Sequence, residues 1–297
     1  METIKTGDLI VKLTDFYPSL KIENNVKGIC SKQENIKKNY IYIDLENEQV
    51  DLVKIASKKP VLIISRRILN LENIPCLMVD NPKNEYLKLQ QLIIKSDCYN
   101  PQFICFINDC FLDFKSVISD IFNKVISSSF YIIDDIQDVD FLYERIKKFS
   151  VKGVKYFIFI LHSKELDILC DFMKFDYIIY PITNHTSEML VTEQVPILLK
   201  SDGLLIYNKD DFPKDFNMLE KTISFGSSSD ADYNTSLVFK KDKMQIFNVI
   251  HKDKQLEFLT CFKRVDYIYL IQALMIFLDN ESIDIFKLKS FLNKYII

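Results

Sequence analysis

The feature that most constrains this chain is an alternation of short apolar runs with amphipathic stretches, joined by short connections. Tyr40–Leu45 is a β-rich run, Val50–Ser57 spaces as a short helix, and Lys59-Pro60 leads into the apolar run Val61–Ser65. Cys76–Val79 follows, and Asn84–Lys95 then places Leu87, Leu89, Leu92 and Ile93 near helical spacing. Asn100-Pro101 is a turn signal. Beyond it the pattern predicts strands at Phe103–Ile107, Phe130–Ile133, Tyr156–Leu161, Tyr177–Tyr180 and Leu204–Tyr207. Helices over Phe114–Ile126, Asp138–Phe149 and Glu165–Met173 separate the first four of these strands. Strand-helix-strand order with short loops requires a parallel or mixed sheet with helices on it. The fold class is therefore α/β, with a small N-terminal α/β domain over residues 1–98 and a larger one over 99–297 whose sheet is mostly parallel. The tail changes character. Ser236–Phe239, Met244–Val249 and Gln255–Leu259 pattern as antiparallel hairpin strands, and helices over Val265–Leu278 and Ile283–Tyr295 close it.

Composition excludes several function classes. At 297 residues, with 48% hydrophobic and 27% charged side chains, the chain has a packed core and an ordinary solvated surface. A net charge of −3 gives no general attraction to nucleic acid or anionic lipid, so neither is expected as a partner. The longest apolar runs, Val61–Ile64 and Tyr156–Leu161, are too short to span a bilayer, and no export signal opens the sequence. Seven scattered cysteines include no Cys-x-x-Cys pair, so Cys98, Cys105 and Cys110 are not expected to hold a metal. Reduced, buried thiols in the cytoplasm are the expectation.

Local patterns then add a resemblance. Val26-Lys-Gly-Ile29 followed by Ile36-Lys-Lys-Asn-Tyr-Ile-Tyr42 resembles the opening of the N-terminal domain of Mur ligases, the ATP-dependent enzymes that add amino acids to the peptidoglycan precursor. The branch adding the third residue is the nearest. Val61–Ser65 and Cys76–Asp80 resemble the strand pair that completes that domain. His162-Ser-Lys-Glu-Leu-Asp167 resembles the family's E-x-S-S-H-x-L-D region, and Phe175–Ile179 with Thr183-Asn184-His185 its F-D…T-N…D-H segment. Leu204–Asn208 with Lys209-Asp210-Asp211 resembles the strand and N-x-D-D turn, Ile223–Gly226 with Ala231-Asp232 the F-G…A-D segment, and Leu259–Phe277 the helix opening with G-x-F-N-x-x-N. The shared order of these segments carries the resemblance. It implies the N-terminal and central domains of a Mur ligase, with the family's third domain absent because the chain ends about where that domain would begin.

The chemistry departs from the family. A phosphate loop needs glycines for close backbone approach, a lysine against the phosphates and a hydroxyl on Mg²⁺. The family's T-G-x-x-G-K-T-T would follow Phe103–Ile107, yet Asn108–Ser116 has no glycine and the whole chain has five. Lys115-Ser116 imitates the motif's end, while Asp109 and Asp113 put negative charge where phosphates would lie. The family's catalytic lysine has no counterpart between Lys174 and Lys200, its metal-binding glutamate is lacking because the counterpart position lies within the apolar Phe159–Leu161, and Lys32-Gln33-Glu34 replaces the D-S-R that touches the uridine nucleotide. At the start of the Leu259–Phe277 segment, Lys263 and Asp266 stand for the motif's two asparagines.

No catalytic, cofactor-binding or metal-ligating residue is therefore expected, and no cofactor. The residues remaining to line a cleft between the domains are Asp109, Asp113, Lys115, His162, Glu165, Asn184, His185, Asn208 and Asp211. Asn208 and Asp211 also suit a turn, and Asp134-Asp135 a loop or cap. Ser163 lacks a G-x-S-x-G elbow. Three readings follow: an inactive Mur-ligase-like protein binding a protein partner or a small precursor-like ligand; a divergent or split Mur-type ATP-dependent amino-acid ligase; and an unrelated α/β interaction module.

Overall fold

The computed structural model describes residues 17, 26–45, 50–96, 100–109, 113–136, 138–181, 198, 200, 203–212, 221–241, 244–251, 254–260 and 266–293. In chain order the elements are β1 (Gly28–Cys30), β2 (Tyr40–Ile43), α1 (Leu52–Lys58), β3 (Leu62–Ser65), β4 (Cys76–Met78) and α2 (Pro82–Ser96). Next come β5 (Gln102–Ile107), α3 (Phe114–Ile121), β6 (Phe130–Ile133), α4 (Val139–Ser150), β7 (Tyr156–Leu161), α5 (Ser163–Cys170) and β8 (Tyr177–Tyr180). The remainder is β9 (Leu204–Asn208), β10 (Thr222–Gly226), β11 (Tyr233–Lys241), β12 (Met244–His251), β13 (Lys254–Thr260), α6 (Asp266–Asn280) and α7 (Ile285–Leu292). The chain is mixed α/β, as the alternation requires.

Two compact units share these elements. One comprises residues 1–101 together with 135–154 and 171–173; the other comprises 102–134, 155–170 and 174–297. The first unit thus takes in α4, a segment that the sequence reading assigns wholly to residues 99–297. Its sheet has the order β1-β2-β3-β4, all parallel, over a core of Cys30, Ile36, Tyr42, Ile55, Ile63 and Leu69. Asp51 starts α1 by accepting from the Lys54 N–H at 2.9 Å, and Lys59 ends it in the left-handed region at φ 53.

Helix α4 is fastened to this unit through Asp140, which is 5% exposed. Its carboxylate accepts from the N–H groups of Ser31 at 2.8 Å and Lys32 at 3.2 Å, the Asn35 amide at 3.0 Å, the Ser31 hydroxyl at 3.0 Å and the Tyr86 hydroxyl at 2.8 Å. So many donors are what a buried carboxylate requires. Asp138 caps the helix and pairs with Lys32 at 2.7 Å.

The second unit holds a nine-stranded sheet in the order β13-β12-β11-β10-β9-β8-β5-β7-β6. Strands β5 to β11 run parallel, while β12 and β13 join as antiparallel hairpins at the edge. The hairpin pattern of the tail is thus part of one continuous sheet. Helix α3 is shorter than its apolar pattern, passing at Phe122 into a π-helical turn that ends at Ile126. Phe122 packs there against Phe130, Tyr156 and Phe277. Helix α6 is apolar from Tyr267 to Leu278 except for the buried Gln272, and it is covered on nearly every side. Just past it, Glu281 accepts from Gln102 at 3.0 Å, Tyr156 at 3.3 Å and Tyr177 at 2.5 Å, gathering the amino ends of β5, β7 and β8.

Candidate functional site

The sheet order places β5 between β7 and β8, so the connection from β7 to β8 passes over β5. In open parallel sheets such a reversal leaves a crevice at the carboxyl ends of the strands, where ligands bind. Asp109, two residues beyond β5, sits there and is 3% exposed. Its Oδ1 accepts from the Ser163 N–H at 3.0 Å and lies 3.3 Å from His162 Nε2, and its Oδ2 accepts from the Tyr180 hydroxyl at 3.1 Å. Ser163 opens α5, so the carboxylate also faces the positive end of that helix. Glu165 folds back on the same turn, accepting from the His162 N–H at 2.7 Å, while His162 Nδ1 accepts from the Lys164 N–H at 3.4 Å.

The other end of the loop is also engaged. Asp113 caps α3, accepting from the Ser116 N–H at 3.1 Å. Lys115, the lysine of the motif-like Lys115-Ser116, pairs at 2.6 Å with Asp134 beyond β6. Both partners of that ion pair are exposed, so its contribution to stability is small.

At the ends of β9 and β10 the side chains build a turn. Asn208 is buried; its amide oxygen accepts from the Asp210 N–H at 3.2 Å and its amide nitrogen donates to Asp211 at 3.3 Å. Asp210 accepts from the Ser227 and Ser228 N–H groups at 2.7 and 3.1 Å. Gly226 lies beneath it at φ +149, and a Cβ there would fall 2.7 Å from Asp210 Oδ1. Asp232 in turn accepts from the Ser224 N–H and hydroxyl, both at 2.8 Å.

Of the residues expected to line a cleft, Asp109 and His162 come together, with Glu165 on the same turn. Lys115 is tied to Asp134 and Asp113 to its helix, and Asn208 and Asp211 shape the β9 turn. Asn184 and His185 lie outside the described residues. Burial pushes the Cys30 and Cys105 thiols far above the ordinary thiol range, as inert core groups; Cys98 and Cys110 lie outside the described residues. Among the described residues no group of three or more His, Cys, Asp or Glu side chains could hold a metal ion, and no helix is long and apolar enough to cross a membrane. Sequence reasoning missed Tyr180 and Asp140. Each is one polar group in an apolar or helical run, and nothing local announces its partner.

The first unit has a polar cleft of about 260 Å³ at the carboxyl ends of β1 and β2, lined by Ser31, Lys32, Gln33, Glu34, Tyr42, Asp44 and Lys54. Gln33 and Glu34 are held by Lys58, whose ammonium donates to both backbone carbonyls, at 2.9 and 2.6 Å.

No family model matches the sequence, and no curated protein matches it. Solved structures do. A UDP-N-acetylmuramoyl-L-alanyl-D-glutamate–2,6-diaminopimelate ligase superposes with a TM-score of 0.71 at 14% identity, over 97% of this chain and 67% of that one. MurF from Acinetobacter baumannii gives 0.56 at 12% identity, over 93% of this chain and 64% of that one. MurF from Thermotoga maritima, in complex with ADP, gives 0.51 at 13% identity, over 88% and 65%. The chain thus spans about two thirds of the length of these ligases. Identities this low speak for architecture alone: the protein has a Mur-ligase-like fold.

Proposed function

We propose that this protein is a catalytically inactive relative of the Mur ligases that works by binding or scaffolding, in the setting of cytoplasmic peptidoglycan precursor synthesis. The observation that carries this reading is the end of β5. The groups that would meet a nucleotide's phosphates there are engaged by the chain itself: Asp113 holds the α3 N-terminus, Lys115 is on Asp134, and Asp109 is buried among its own donors. A phosphate brought to this loop would meet two carboxylates and no glycine. The retained capacity is recognition of a protein partner or of a precursor-like ligand. The polar cleft of the first unit gives the second option a place, and the replacement of the resemblance's D-S-R by Lys32, Gln33 and Glu34 there argues for a ligand altered from the family's own precursor.

Thermal unfolding with Mg²⁺-ATP tests the inactivity. A nucleotide at ~100 times its dissociation constant adds about 2.7 kcal/mol, which raises the melting temperature visibly. The expected result is no rise at millimolar ATP. A rise that grows with ATP and disappears in Lys115→Ala would overturn the reading. Titration with UDP-N-acetylmuramoyl-L-alanyl-D-glutamate tests the cleft: saturable heat lost in Lys54→Glu identifies a precursor-like ligand. Its absence leaves the protein partner, sought by co-purification from the native cell.

A further inference from the structure

The Asp109 carboxylate is bound as a ligand would be. Two donors from separate places in the chain converge on it, the first N–H of α5 and the hydroxyl at the end of β8, and the His162 Nε2 beyond β7 lies 3.3 Å away. They surround a group that is 3% exposed, at the strand-order reversal where parallel sheets take ligands. A helix N-terminus with converging N–H and O–H donors is the ordinary surrounding of a phosphate or carboxylate. A second observation is independent of these bonds. The Ser163 hydroxyl, in a residue 1% exposed, has no hydrogen-bond partner among the described residues. A buried hydroxyl without a partner is costly, so the residue whose N–H meets the carboxylate also holds a polar group that the carboxylate does not use.

We infer that the carboxyl ends of β5, β7 and β8 form a small oxyanion site that the chain fills with its own Asp109. The inference rests on the reading that this end of β5 holds no nucleotide. It adds what takes the nucleotide's place. In this arrangement Asp109 occupies the place whatever anions the solution contains, as a protein acting by binding alone would need.

Vacating the place with Asp109→Ala tests it, using formate and inorganic phosphate as probes and chloride at matched ionic strength as the control. In chloride D109A should melt well below the wild type. Formate or phosphate should then raise its melting temperature saturably, while the wild type responds alike to all three salts. The tetrahedral ion should be the better probe if the Ser163 hydroxyl takes part, and formate if the carboxylate's own bonds suffice. Adding Tyr180→Phe should weaken the response. Failure of both anions to raise D109A above its value in chloride overturns the inference, as does an equal rise in the wild type. If D109A does not fold in chloride, its refolding yield gives the same answer. Recovery in phosphate or formate alone supports the site, and failure in all three salts, while Asp109→Asn still folds, overturns it. Stabilisation of the wild type by ATP would instead remove the reading beneath it, so the two failures are distinct.

Discussion

Single carboxylates organise both units. Asp140 is the plainest case, because its acceptors satisfy backbone N–H groups that follow β1 and would otherwise be left without partners. Asp140→Ala should cost on the order of 3 kcal/mol by chemical denaturation, and Asp140→Asn less, because it keeps part of the set. A loss below about 0.5 kcal/mol for the alanine variant would show that water replaces the carboxylate. Gly226 is constrained by conformation and space together. Gly226→Ala should cost about 1–3 kcal/mol, since its φ of +149 is a region kept for glycine and its Cβ would strike Asp210. The tyrosines give a pH dependence. Burial, and then Asp140, Glu281 and Asp279 respectively, hold the Tyr86, Tyr177 and Tyr233 phenols well above their ordinary range. A raised value means that the fold favours the neutral phenol. That stability is complete below the unfolded value of about 10 and is lost as pH rises beyond it. The urea midpoint should therefore stay level up to about pH 9.5 with respect to these groups and fall above it; a midpoint unchanged to pH 11 would contradict the assignment.

Elements in this fold take their ends from caps and their middles from packing. Asp51, Asp113, Asp138 and Asp284 each accept from a backbone N–H of the helix they start. These caps are local, so helix starts fall within a few residues of the positions legible in sequence. The end of α3 is different. The apolar spacing continues through Ile126, but the backbone changes to a π turn at Phe122, in a segment packed on β6, β7 and α6. The aromatic partners on those elements are distant in sequence, so no local window contains them. Phe277, buried between Phe122, Tyr156 and Tyr177, should cost about 3–5 kcal/mol as Phe277→Ala and distinctly less as Phe277→Leu, measured by urea unfolding. Equal losses for the two would mean that the ring contacts, and not the filled volume, hold α6 down.

At the scale of the whole molecule, the discontinuous first unit has a consequence for truncation. A fragment of residues 1–101 lacks α4, and with it Asp140 and the Asp138 partner of Lys32. Such a fragment should unfold at lower urea, with a broader transition, than one in which residues 135–154 are joined back to it by a flexible linker. Identical transitions would show that α4 adds nothing to the unit. The strand order of the second unit has a similar character. Its first strand in sequence, β5, lies inside the sheet, and only the long-range pairing of β5 with both β7 and β8 creates the reversal where Asp109 lies.

The sequence by itself determined the α/β class, most of the strand and helix succession, the hairpin tail and the absence of glycine between β5 and α3, because periodicity, turn residues and composition are local properties. The expectation that Asp109 and Asp113 carry negative charge at that loop needed no more than their identity. What those charges do was decided only by tertiary structure. Asp113 caps its own helix, a local bond, but Asp109 is buried against groups 54 and 71 residues away, and Lys115 is paired from beyond β6. A carboxylate's role depends on which donors reach it and on whether water does. Both are set by how strands far apart in the chain come to lie side by side.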